Sequence, residues 1–160
     1  MKRGNTRETP KARPLWQCRN CRRRFANRNQ THTCAKLDLD HHFTHRPLAI
    51  RALYKAFLRA LRELGPVTIL PEKTRIAFQT RMSFAQVALR KGWLVGHLVL
   101  ARRIEHPRFH KVVTISRRNH VHHFRIESPK ALDSEFRAFM AEAYRVGRQE
   151  HLGPATYSDH

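Results

Sequence analysis

The chain has 160 residues, room for one compact domain and a small appendage but not for two full-sized domains. Thirty-two Lys and Arg stand against twelve Asp and Glu, a formal charge of +20, and three-quarters of those cations are Arg, whose planar fork grips phosphate oxygens in pairs. That balance points to an anionic partner, 41% hydrophobic content argues against disorder throughout, and the longest apolar run, Trp93 to Ala101, is interrupted by His97 and far too short to cross a bilayer.

Residues 1–14, with Pro10 and Pro14 and no apolar periodicity, read as a flexible basic arm. No apolar stretch of the signal-peptide kind follows the basic N-terminus, so a cytosolic protein with no membrane partner is expected. In that compartment the three cysteines are thiols rather than structural disulfides.

All three cysteines fall within residues 15–35, which read as a small separate module. Cys18 and Cys21 are separated by two residues, and ten residues later come His32 and Cys34. Two thiolates at that spacing grip one metal from a tight turn, and an imidazole and a thiolate two apart point the same way from an extended segment. The set predicts a tetrahedral zinc ion that folds a piece too short for a core of its own, with Trp16 and Phe25 packed beside it. The His-x-Cys half differs from the paired histidines of helix-borne fingers, so no recognition helix is implied. Arg19, Arg22, Arg23, Arg24 and Arg28 lie in and between the ligand pairs, and fixing them on a clamped loop makes a pre-organised phosphate grip.

Residues 36–147 read as an α+β domain. A helix is predicted over 47–64, opened by Pro47 and ended by Gly65-Pro66, with Ile50, Leu53, Tyr54, Phe57, Leu61 and Leu64 on one stripe. Arg51, Lys55, Arg59 and Arg62 form a basic ridge on another face, a second candidate for phosphate contact. Short strand-like runs follow at 67–70, 75–80, 83–89, 93–100, 111–116 and 121–127, with links that favour antiparallel pairing. Ser128 as N-cap and Pro129 at the first helical position predict a second helix to about Val146, with Leu132, Phe136, Phe139, Met140 and Ala143 buried and Gly147 as its stop. Residues 148–160 read as a tail.

Helix, antiparallel sheet of five to six strands, helix: this order predicts a two-layer sandwich with both helices on one face, preceded by the zinc module. The strand at 93–100 is apolar on both sides, so its second face requires a cover: the module, a second subunit or a ligand.

Asn119 to Arg125 contains three histidines. On a strand, His120 and His122 share a face with Phe124 and Ile126, while His123 and Arg125 share the other. With Arg75, Gln79 and Arg81 on one face of an earlier strand, a polar pocket of Arg75, Arg81, His122, His123 and Arg125 is the candidate ligand site. No nucleophile-base pair or carboxylate pair accompanies it, so no catalytic residue is assigned.

From Trp16 onward the chain resembles an uncharacterised bacterial family, the domain of unknown function 5655, in versions with a zinc-finger-like segment in front. The resemblance rests on Trp16, Cys18, Cys21, Phe25, His32 and Cys34 in the finger. It continues through Gly65-Pro66-Val67, Lys73 to Phe78, Ser83-Phe84-Ala85, His120 to Arg125 and Leu132-Asp133, and ends with Glu142-Ala143-Tyr144. Arg19 and Arg22 stand where the finger pattern has Pro and Gly. The resemblance implies the domain plan and no activity.

The leading expectation is a zinc-binding accessory protein that associates with DNA or RNA through backbone phosphates. Two other readings fit the same residues: a small enzyme or ligand-binding domain using the His/Arg pocket, and a structural partner of a ribosome or an acidic protein.

Overall fold

A computed structural model of the chain describes residues 13–35 and 37–152. Most of the predicted basic arm and of the C-terminal tail therefore lies outside the described residues.

The module contributes a two-residue hairpin, β1 (Trp16–Gln17) and β2 (Arg24–Phe25). A 3-10 turn at Leu39–His42, capped by the Asp38 carboxylate, leads into helix α1 (Leu48–Arg62). Pro47 stands at its N-cap, one residue before the first helical position predicted for it, and makes no side-chain capping bond. The predicted stripe is buried through Leu61, with Ala60 added, and Leu64 is half-buried.

Six strands follow: β3 (Thr68–Pro71), β4 (Ile76–Gln79), β5 (Ser83–Leu89), β6 (Leu94–Leu100), β7 (Phe109–Ser116) and β8 (Asn119–Ile126). They form one antiparallel sheet in the order β3-β4-β5-β6-β8-β7. The chain leaves β6, skips one position to lay β7 at the edge, and returns with β8 between them. That exchange places the histidine-rich strand next to the apolar β6 instead of at the sheet's rim.

The second helix begins later than the sequence predicts. Ser128-Pro129 opens only a 3-10 turn, Pro129–Ala131, and the N-cap of α2 (Ser134–Gly147) is Asp133, whose carboxylate accepts from Phe136 N–H at 2.9 Å. An aspartate at that position satisfies a first-turn donor, and Ser128 here makes no such bond. At the other end, the Gly147 carbonyl accepts from the N–H groups of Arg81 and Met82, tying the helix to the β4–β5 turn.

Both helices contribute to one core with a single sheet face. Phe57 of α1 packs on Phe78 and Phe124, and Phe136 of α2 meets Phe124 at 5.1 Å between ring centroids. Ile76, Val87, Leu94, Leu98, Leu100 and Ile126 complete it. The opposite face carries Ala77, Gln79, Gln86, Val95, His97, His123 and Arg125 by the strand register.

Candidate functional site

The first turn of the module is built on a residue with positive φ. Arg22 adopts φ 63, which lets its N–H reach Cys18 O at 3.0 Å while Cys18 N–H donates to Arg23 O at 2.9 Å. This tight loop brings Cys21 back beside Cys18. The extended return through Thr31–Cys34 supplies the other half, held by Arg23, whose guanidinium donates to the carbonyls of Thr33 at 3.1 Å and Ala35 at 3.3 Å.

Cys18, Cys21, His32 and Cys34 thereby place their ligand atoms within 4.8 Å of one another, a group that could hold a metal ion. Cys18 Sγ lies 3.7 Å from Cys34 Sγ, and His32 Nε2 lies 3.3 Å from Cys21 Sγ and 3.4 Å from Cys34 Sγ. The His32 Nδ1–H donates to Gln30 O at 2.6 Å, which fixes the tautomer and leaves Nε2 as the ligand atom. That same carbonyl raises the imidazole's proton affinity. The Cys18 thiol is pulled down to about 6, chiefly by the backbone N–H of Cys21, so the turn favours the thiolate that binds metal. Cys34, sharing a hydrogen with Cys18, is raised. Phe25 lies 4.4 Å from the His32 ring and Trp16 6.0 Å from Phe25, the two aromatics expected beside the cluster.

The arginines of the module divide. Arg19, Arg22, Arg24 and Arg28 are exposed around the cluster, whereas Arg23 is half-buried and its fork is occupied by the two carbonyls. The ridge of α1 is exposed as predicted, with Arg51 partly engaged through Phe43 O at 3.1 Å. It does not extend the module's surface. Helix α1 covers the core face of the sheet, while the module sits over the other, where Gln79 Nε2 donates to Arg24 O at 2.6 Å. The module thus lies over β4, and of the second face of β6 only His97 borders the space beneath it.

Between module and sheet lies a cleft of about 680 Å³, floored in part by the small side chain of Ala77 and walled by Arg75, Arg81, Lys73 and amides of both parts. It continues past Arg75, Gln86 and His97 into a pocket of about 200 Å³ bounded by His110 and His123. Of the five predicted pocket residues, Arg75, Arg81 and His123 line these spaces.

His122 does not belong with them. It is fully buried on the core face, its Nε2 accepting from Ile104 N–H at 3.1 Å and its Nδ1–H donating to His120 O at 2.9 Å, so both nitrogens serve the fold. Strand alternation forbids His122 and His123 from sharing a pocket. Arg125 is on the second face but stacks 3.9 Å over Trp93 and pairs with Glu127 at 2.8 Å, outside the cleft lining. The residues missed were Gln86 and His97. Gln86 Nε2 lies 2.9 Å from the His97 ring nitrogens, and burial, with His123 and Arg75 nearby, pushes that imidazole down to about 4. The signal was present: a histidine interrupting the most apolar run of the chain.

The model of a family described as a domain of unknown function (DUF5655) matches residues 39–147. The chain belongs to that family. No curated protein and no solved structure matches it. The DUF5655 match begins with the 3-10 turn before α1 and ends with the last residue of α2, so it covers the sandwich, and the Cys/His group lies in front of it. None of the helices among the described residues is long and apolar enough to cross a membrane.

Proposed function

We propose that this is a zinc-binding accessory protein that associates with nucleic acid through backbone phosphates, using Arg19, Arg22, Arg24 and Arg28 of the metal-clamped module. Zinc is favoured by the donor set and its spacing. A tetrahedral ion with sulfur at about 2.3 Å and nitrogen at about 2.0 Å sets two sulfurs about 3.8 Å apart and a sulfur and nitrogen about 3.5 Å apart. The separations of 3.7 Å and 3.3–3.4 Å fit those values. Three thiols and one imidazole leave no open position, which suits a structural ion rather than a catalytic one.

The observation that carries the reading is four exposed arginines on a short segment whose ends meet at one Cys/His group. A cation pinned by a folded turn surrenders less freedom on binding phosphate than one on a loose tail. No side chain of the module is arranged as a base reader, so the expected binding has little sequence preference.

Two measurements test this. Protein purified without nuclease should carry nucleic acid, and the cleaned protein should retard both duplex and single strands at low salt. Absence of retardation under those conditions rejects the reading. Cys21→Ser should release the ion, read by metal analysis, and weaken retardation together with it; full metal content in that variant would reject the ligand set.

A further inference from the structure

The cleft of about 680 Å³ is too large for a bare phosphate ion and far too narrow for a duplex, but it is the size at which small ligands are enclosed. Its walls carry two kinds of chemistry. Arg75 and Arg81 stand on the sheet side, each with part of its guanidinium already fixed. Arg75 Nε pairs with Glu72 at 2.6 Å, and Arg81 Nε donates to Gln149 Oε1 at 3.0 Å while its Nη2 reaches the Arg13 carbonyl. Both forks are therefore oriented by neighbours, with further N–H groups left to donate. With Lys73, these cations outnumber Glu72, the one carboxylate among the described residues of the lining.

Amides supply the second kind. Asn27 and Gln30 line the module side, their side chains 3.2 Å apart, and Gln86 lines the sheet side against His97. An amide both donates and accepts, as the edge of a nucleobase does. On the floor, the small Ala77 leaves space for a flat group to lie against the strands.

We propose that this cleft binds a nucleoside 5′-monophosphate unit, its phosphate held at Arg75 and its base by Gln86 with the module amides Asn27 and Gln30. The unit comes either as a free nucleotide or as an unpaired residue of a strand. This site is distinct from the exterior arginines of the module and stands whether or not they hold phosphates. One wall of the cleft is the module itself, joined to the sheet through Gln79, so a metal held by the Cys/His group would be required to keep the cleft closed.

The test titrates the metal-loaded full-length protein with each of the four common nucleoside 5′-monophosphates, with inorganic phosphate and with a short single-stranded oligonucleotide, followed by calorimetry. Saturable binding of at least one nucleotide, tighter than inorganic phosphate, is expected. Arg75→Ala and Gln86→Ala should each weaken it about tenfold or more, while Arg75→Lys recovers part of the loss and Arg117→Ala, at the distant β7–β8 turn, changes nothing. Unaltered melting of Arg75→Ala, whose side chain is 53% exposed, checks that the fold survives. Binding of the oligonucleotide but not of free nucleotides assigns the source to a strand; binding of free nucleotides assigns it to the small molecule. Binding of neither, or nucleotide binding unchanged in Arg75→Ala and Gln86→Ala, overturns the proposal. Chelation of the metal should abolish the binding, and affinity that survives complete metal removal overturns the role of the module as a wall.

Discussion

Arg22 shows what a single backbone angle costs. At φ 63 its backbone lies in the left-handed region, where glycine is free of the strain that a Cβ brings. Arg22→Gly should therefore relieve about 1 kcal/mol in the metal-binding turn, read as tighter metal retention against a competing chelator, while removing one exposed cation. His97 makes a second prediction at this scale. Its folded value near 4 lies below the ordinary histidine value, so between about 6.5 and 4 the unfolded chain takes up a proton that the folded chain refuses. Stability is full above that window and falls as the pH drops through it, by roughly 2 kcal/mol once its partial exposure is allowed for. His97→Gln should flatten the urea midpoint between pH 7 and 4.5 by that share, and an unchanged slope would exclude His97 as its source. The convergence of Cys18, Cys21, His32 and Cys34 was legible because spacing alone restricts where these side chains can meet. His97 was not assigned, because one histidine in an apolar run says nothing about which strand lies beside it.

Elements follow from patterns that need only local chemistry. The stripe of α1, the bounds of β5 and the sidedness of β8 are all written in periodicity, and each is found where the pattern places it. Two features needed information from outside the element. The start of α2 depends on a competition between Ser128 and Asp133, which Asp133 wins with its bond to Phe136 N–H and its 2.9 Å pairing with Arg108, a residue 25 positions away. The order β6-β8-β7 depends on which hairpin strand better covers the core, and Phe124 and Ile126 of β8 settle it. Gly147 illustrates packing overriding propensity. Within a helix, alanine ordinarily improves on glycine by nearly 1 kcal/mol. Here a Cβ would stand 2.5 Å from Phe84 Cδ1 and 2.6 Å from Thr80 Oγ1, where the end of α2 meets the β4–β5 turn. Gly147→Ala should thus destabilise the domain by about 1–3 kcal/mol in denaturant unfolding, and a stabilised variant would show that this packing relaxes freely.

At the scale of the whole molecule, charge and layering act together. The +20 was legible from composition, but its division into two opposed surfaces was not, because sequence proximity does not reveal which face of a sheet a module will cover. The exposed arginines of the module lie over one side of the sandwich and the ridge of Arg51, Lys55, Arg59 and Arg62 over the other. Under the proposed function, a stiff duplex with a persistence length of about 150 base pairs cannot bend around so small a body without a large elastic cost, so a bound segment would touch one surface. Each phosphate that the protein neutralises contributes about −0.9 to the slope of log affinity against log salt. Replacing Arg19, Arg22, Arg24 and Arg28 together by Ala should therefore flatten the slope by about 0.9 for every phosphate no longer neutralised, and weaken binding at all salt concentrations. The same treatment of the α1 ridge should leave the slope nearly unchanged and reduce affinity only by the smaller long-range attraction of the removed charges, an effect that salt screens beyond about 10 Å at 0.1 M. Equal flattening in the two variants would mean that both surfaces reach one nucleic acid, and the module would lose its place as the grip.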